Sequence, residues 1–290
     1  MREGGEVLWR CRERVIRFGS RPLIMGILNV TPDSFSDGGR FMTPEAAIGH
    51  GLTLAQDGAD ILDVGGESTR PGAAPIPPDE ELARVVPVIE GLCRVWRGRE
   101  APLIAVDTRK AVVAERALAA GASIVNDVSA LTADDGMAAV VRRYQAGVVL
   151  MHMSGEPATM QREPQYEDVV REVAAYLDGR VADLCAQGLD RETLALDPGI
   201  GFGKTLDHNL QLLARLDVLV RQGRPVVVGV SRKSFLGKLT GRETGERLAG
   251  SLTGLVYAAM RGARIVRVHD VRESVDAARV LAALDGEHTT

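Results

Sequence analysis

Leu23-Ile-Met-Gly-Ile-Leu-Asn-Val-Thr-Pro-Asp-Ser-Phe-Ser-Asp-Gly-Gly39 decides how the chain is read. Its first half is an unbroken apolar run, the pattern of a strand buried on both faces. Its second half is dense in Thr, Pro, Asp, Ser and Gly, the composition of an irregular loop. Asn29 stands at the join, where a polar side chain has no packing role. A buried strand that ends in a polar residue and opens into a long loop is a place to look for chemistry.

Seven further short runs of the same kind follow, so strands are predicted at 23–30, 59–65, 103–107, 123–127, 147–151, 194–197, 226–230 and 265–268. Helical spacing fills the gaps at 44–56, 79–96, 111–120, 135–143, 167–187, 206–220, 245–261 and 273–284. Thr43 is the expected N-cap of the first helix, and Gly58, Gly121, Gly188, Gly223 and Gly262 the expected stops of later ones. Continuously apolar strands alternating with helices predict a parallel sheet wrapped on both faces. Eight such units predict an α/β chain with a (β/α)8 TIM barrel over 23–285. A doubly wound open sheet is the alternative. It is expected to carry a phosphate fingerprint after its first strand, and Thr31-Pro-Asp-Ser-Phe35 is not one.

Residues 1–22 read as a separate extension, with Val7, Trp9, Val15, Ile16 and Phe18 marking a short hairpin that caps one end of the core. Residues 286–290 read as a frayed tail. The 290 residues are 45% apolar and 26% charged, ordinary for a globular protein. A net charge of −4 gives no general attraction to nucleic acid or to an anionic membrane surface. Cys11, Cys93 and Cys185 are widely spaced and odd in number, which argues against a disulfide framework. With no signal-peptide core and no bilayer-spanning run, a reducing, cytoplasmic setting is expected.

In a barrel of this kind the C-terminal strand ends carry the active site. Here they read Asn29; Gly65 to Arg70; Asp107 and Thr108; Asn126 and Asp127; His152; Asp197; Ser231 to Ser234; and Arg267 with His269. One polar strand end is an ordinary turn or cap; eight converging on one mouth are a site. Asp107, Asn126 and Asp197 offer carboxylates and an amide suited to the donor and acceptor edges of a heterocycle. Asp197 precedes Pro198-Gly-Ile-Gly-Phe-Gly-Lys204, where glycines let backbone approach a ligand. The stretch mimics a phosphate loop, but Pro198 occupies the first glycine position, which excludes that reading.

Arg70, Arg267 and His269 form a cationic group suited to phosphate. Asn29 and Thr69 add neutral contacts or ligate Mg²⁺. For Arg267 the structural alternative is an ion pair with Asp270 or Glu273. Ser231-Arg-Lys-Ser234 runs into a turn of helix, an anion site in which Arg232 is structural. Lys233 as a Schiff-base nucleophile is the weaker alternative, since nothing nearby marks a lone buried lysine. His50, His152 and His208 read as packing or wall residues. Met151, Phe202 and Phe235 are offered both as walls of an apolar slot for a flat ring and as core.

These motifs closely resemble the dihydropteroate synthase family. They are Met25 to Gly39; Asp63-Val-Gly-Gly-Glu-Ser-Thr-Arg-Pro-Gly72; Val106-Asp-Thr108; Asn126-Asp127; Met151-His-Met153; Asp197 to Lys204; Ser231 to Ser234; and Arg267-Val-His-Asp270. The resemblance implies a homodimeric, Mg²⁺-using TIM barrel that sulfonamides target. It implies that the enzyme joins 4-aminobenzoate to 6-hydroxymethyl-7,8-dihydropterin diphosphate, giving 7,8-dihydropteroate and diphosphate.

Carried over, Asp107, Lys233, Arg267 and His269 would be catalytic. Asp107, Asn126, Asp197, Lys233, Met151, Phe202 and Gly229 would hold the pterin. Thr69, Arg70, Arg267 and His269 would hold the diphosphate. Phe35, Pro71, Phe202, Lys233 and Ser234 would hold 4-aminobenzoate, and Asn29 the metal. Residues 31–39 would be a mobile lid. Leu248, Leu252, Leu255 and Val256 are compatible with the dimer, and the ordinary first and second loops predict sulfonamide sensitivity. Two other readings are a pterin-binding methyltransferase on the same barrel and a pterin-binding paralogue without turnover. The first has no need of the cationic cluster. The second is expected to lose loop or cationic residues, and none is missing.

Overall fold

The computed structural model describes residues 7–31, 43–68, 73–97, 101–155, 160 and 164–286. A two-stranded antiparallel hairpin, β1 (Leu8–Cys11) and β2 (Arg14–Arg17), precedes the main sheet. Eight parallel strands follow: β3 (Leu23–Asn29), β4 (Ile61–Gly65), β5 (Leu103–Asp107), β6 (Ile124–Asp127), β7 (Gly147–Met151), β8 (Leu194–Asp197), β9 (Val227–Gly229) and β10 (Ile265–Val268). Their order is β8-β7-β6-β5-β4-β3-β10-β9. A parallel bridge between Leu196 and Val226, with Leu196 N–H donating to Pro225 O at 2.8 Å, brings the two edges together and nearly closes the barrel. All eight predicted strands are present, several with the predicted ends.

The helices are α1 (Pro44–Gln56), α2 (Pro78–Val95), α3 (Ala111–Ala120), α4 (Met137–Tyr144), α5 (Val169–Ala186), α6 (Leu206–Ala214), α7 (Asp217–Val220), α8 (Ser234–Thr240), α9 (Leu248–Met260) and α10 (Val271–Leu284). Thr43 caps α1 by accepting from Ala46 N at 3.3 Å, and Pro44 at the helix start gives up an N–H that would have no partner. The five glycines expected as helix stops all take positive φ.

Two expectations need correction. The single helix over 206–220 is two, α6 and α7. Arg215 leaves helical geometry at φ −113°, and Leu216 at the break is fully buried, so packing of one leucine overrides a continuous helical pattern. The turn after Lys233 is a seven-residue helix, α8, ended by Gly241 in the left-handed region.

The two faces of each strand have different partners. Outward residues such as Ile24, Leu28, Leu62, Val64, Val106 and Val125 pack against the helices. Inward residues change character along the strand. Ile61 gives way to Asp63, Leu103 and Ala105 to Asp107, Ile124 to Asn126, and Ile265 to Arg267. The lower, apolar layer joins Met25, Ile61, Leu103, Val149, Ala195 and Val227 in one cluster with Trp9 and Cys11 of the hairpin. Trp9 is fully buried and donates its indole N–H to Thr193 O at 2.8 Å. The hairpin therefore plugs the bottom of the barrel, and polar chemistry is confined to the opposite mouth. Among the described residues no helix is long and apolar enough to cross a membrane.

Candidate active site

Strand register sets the site's first row. Asn29, Gly65, Asp107 and Asn126 lie side by side on β3, β4, β5 and β6. Gly65 leaves this row open at its centre. A Cβ there would lie 3.5 Å from Asp107 Cβ and 3.6 Å from Asn29 Oδ1. Asn29 and Asp107 thus flank a position with no side chain of its own.

Arg267 enters this row from β10. Its Nε donates to Asp63 Oδ2 at 2.6 Å and its Nη2 to Asp107 Oδ2 at 2.8 Å. Asn126 Nδ2 donates to the same Asp63 oxygen at 3.1 Å. Burial pushes the Asp107 carboxyl up to about 7; Arg267 opposes the shift, while Asp63, Glu81 and Asp127 add to it. Burial works against the Arg267 charge, but Asp63 and Asp107 outweigh it and hold the guanidinium above its ordinary value. The expected alternative for Arg267 is not observed: Asp270 pairs instead with Arg232, which confirms Arg232 as structural. His269 faces Ser231, its Nδ1 3.0 Å from the hydroxyl oxygen.

The opposite wall is built by β8, β9 and the glycine-rich turn. Asp197 Oδ1 accepts from Gly199 N at 2.7 Å, and burial raises the carboxyl's pKa. Gly199 adopts φ +67°, and a Cβ on it would sit 1.9 Å from His152 O, so glycine is required. Lys233 Nζ donates to Ile200 O and lies 4.9 Å from the centroid of the Phe202 ring. Gly229 lies beneath it: a Cβ there would be 3.5 Å from Nζ. Burial lowers Lys233 to about 8, with Asp197 opposing and Arg267 reinforcing the shift. Lys233 is thus half-buried, with a lowered pKa that its local sequence does not reveal.

Behind this wall, Lys204 ties the glycine turn to β7. Its Nζ lies 3.1 Å from His152 Nδ1 and donates to Phe202 O at 2.9 Å. Burial brings Lys204 down to about 7 and, with Lys204 close by, His152 down to about 3. His152 packs edge-on against Tyr176, as a wall histidine should. The segment after β4 has its own anchor. Glu67 accepts from Lys110 Nζ at 2.5 Å, Arg109 Nη2 at 3.1 Å and Ile76 N at 3.1 Å. Lys110 also bonds Glu81, which is almost fully buried.

The sequence of residues 25–269 matches the family described as pterin binding enzyme. Dihydropteroate synthase of Escherichia coli (strain K12) is 48% identical over 267 residues, which cover 91% of this chain and 92% of that one. A solved structure of Xanthomonas albilineans dihydropteroate synthase with 4-aminobenzoic acid superposes with a TM-score of 0.89. It is 48% identical and the match covers 97% of this chain and 99% of that one. The Yersinia pestis dihydropteroate synthase in a sulfonamide drug complex gives a TM-score of 0.90, 42% identity and coverage of 97% and 100%. The chain belongs to the dihydropteroate synthase family.

Of the site residues expected from the sequence, the mouth brings together Asn29, Asp107, Asn126, Met151, Asp197, Phe202, Gly229, Lys233, Arg267 and His269. Met151 is buried beside Asp197, in register with it. Ser234 is exposed at the start of α8. Phe35, Thr69, Arg70 and Pro71 lie outside the described residues, as does all but Thr31 of the expected lid. Phe235 is core, 4% exposed among the helices, and not a wall of the slot. Asp127 also turns away from the mouth, accepting from Ser129 N and Leu131 N.

Asp63, Lys204 and the Glu67–Lys110 pair have no role in the reading of strand ends, although Glu67 and Lys204 lie in stretches that it quotes. The signal for Asp63 is a charge inside an otherwise apolar strand, two residues before Gly65. Among the described residues no group of three or more His, Cys, Asp and Glu is placed to hold a metal ion. The amide oxygen of Asn29 at the mouth is a hard donor that suits Mg²⁺ arriving with substrate phosphates and keeping several waters. The residues present fit that ion.

Proposed function

We propose that the mouth condenses 4-aminobenzoate with 6-hydroxymethyl-7,8-dihydropterin diphosphate by substitution at the pterin methylene. The observation that carries this reading is the convergence of Asp107, Asn126, Asp197 and Lys233 on one mouth that Arg267 and His269 also enter. Carboxylates, an amide and an ammonium supply acceptors and donors for the pterin ring. Met151 and Phe202 give it apolar surface. Arg267 brings positive charge and His269 a hydrogen-bonding ring to where the diphosphate would lie, with Thr69 and Arg70 of the second loop completing that group.

Asn29 would hold Mg²⁺, which when bound supplies positive charge beside the departing diphosphate. The C–O bond to the methylene breaks, its electron pair leaves with the diphosphate, and the methylene becomes cation-like. Asp107 and Asp197 stabilise that positive character electrostatically. The neutral arylamine nitrogen attacks the methylene carbon and then loses a proton, so no strong base is needed. Phe202, Lys233 and Ser234, with Phe35 and Pro71, would form the aminobenzoate subsite.

The same proposal includes a homodimer. Exposed Met260, Val280 and Leu284 on α9 and α10 support it, whereas Leu255 packs inward. A cytoplasmic location is also proposed, supported by three free cysteines. The test is product analysis with Mg²⁺ and both substrates. 7,8-Dihydropteroate should form, and a sulfonamide should compete with 4-aminobenzoate. Methyl transfer, or tight pterin binding without turnover, would reject the proposal.

A further inference from the structure

Asp63 has no exposed surface and lies one row below the mouth on β4. Its Oδ2 accepts from two donors at once, Arg267 Nε and Asn126 Nδ2. A carboxylate can only accept, so the Asn126 group turned down toward it must be the NH₂. The planar amide then directs Asn126 Oδ1 the other way, up into the mouth beside Asp107. With an aspartate at position 126 instead, two buried carboxylates would meet where one hydrogen bond now stands.

We propose that Asp63 is a positioning residue that sets the polarity of Asn126, so that the mouth presents the pterin with an acceptor there, and that it holds the Arg267 fork toward Asp107. This rests on the pterin reading of the mouth. It follows that the pterin edge facing Asn126 carries an N–H donor. A ring with an acceptor at that edge is rejected, because two acceptors would oppose each other without a hydrogen.

The test measures binding of 6-hydroxymethyl-7,8-dihydropterin to three proteins. Wild type must bind; if it does not, the pterin reading fails, not the role of Asp63. Asn126→Asp alone should bind about 100-fold more weakly, because its carboxylate faces that of Asp63. Combining it with Asp63→Asn lets the new amide's NH₂ donate to the carboxylate at position 126 while its oxygen takes the Arg267 Nε bond that Oδ2 now shares, and still leaves an oxygen facing the mouth. The double variant should return to within about tenfold of wild type. A folded double variant that binds as poorly as Asn126→Asp overturns the proposal.

A measurement on wild type covers variants that fail to fold. The chain has three asparagines, Asn29, Asn126 and Asn209, so selective ¹⁵N labelling shows three side-chain amide pairs. The Asn126 pair, assigned by elimination with Asn29→Ser and Asn209→Ser, should stay protected from exchange and barely shift when the dihydropterin is added. A pair that is unprotected in the free protein and becomes protected by ligand would mean that the NH₂ faces the mouth, and would overturn the proposal.

Discussion

Arg267 and Asp107 form an ion pair across the mouth of the barrel, Nη2 to Oδ2 at 2.8 Å, from strands 160 residues apart in sequence. Because Asp63 takes the same guanidinium from below, Arg267 is a structural residue of the barrel as well as a candidate anion ligand.

Arg267→Ala should therefore have two separable effects. It leaves two buried carboxylates without their cation, which should destabilise the fold by about 3–5 kcal/mol in denaturant melts. It should also weaken binding of the pterin diphosphate far more than binding of the free dihydropterin. Equal losses for the two ligands would remove the diphosphate role and leave the structural one.

Asp107 should make pterin recognition depend on pH. Its carboxyl is held up to about 7 by burial; Arg267, in contact with it, opposes the shift, and the nearby charges of Asp63, Glu81 and Asp127 add to it. As pH rises from 6 to 8 the carboxylate forms, and dihydropterin affinity should rise with it. Asp107→Asn should bind more weakly and show little of this dependence. Titration calorimetry across the range checks both.

His152 should contribute an acid limit to stability. Burial and the neighbouring Lys204 depress its pKa to about 3 in the folded protein, below the unfolded value of 6.5. Between these values the unfolded chain binds the extra proton, so stability falls as pH falls, by at most about 1.4 kcal/mol per pH unit from this group. Denaturant melts at pH 6, 5 and 4 should show His152→Gln losing less stability over the series than wild type.

Glu67 should matter to catalysis without touching substrate. It ties the start of the segment carrying Thr69 and Arg70 to Lys110 and Arg109 beyond the end of β5. Glu67→Ala should raise KM for both substrates about tenfold or more, as expected when a positioning contact is lost. A change confined to thermal stability would restrict Glu67 to the fold.

What could be read from the chain alone follows from how far each interaction reaches. Strand and helix periodicity is local, so the barrel and most element ends were legible. Asp107, Asn126 and Asp197 stood out because a strand end is a local landmark. Asp63 did not, because its partners arrive from strands 63 and 204 residues away once the barrel closes. Lys204 meets His152 across 52 residues, and the Lys233 environment is assembled by β8, β9 and the glycine turn together. The break between α6 and α7 was lost for the opposite reason: helical spacing continues through Leu216, and tertiary packing overrides it.

The central claim is that the methylene C–O bond breaks and the diphosphate leaves intact. Placing ¹⁸O at the oxygen bridging the pterin methylene and the diphosphate tests it most directly. In a complete reaction with 4-aminobenzoate and Mg²⁺, all of the label should appear in released diphosphate, matched by an equal amount of 7,8-dihydropteroate. Unlabelled diphosphate with the label retained in hydroxymethyl-dihydropterin would mean that a P–O bond breaks, and would contradict the account.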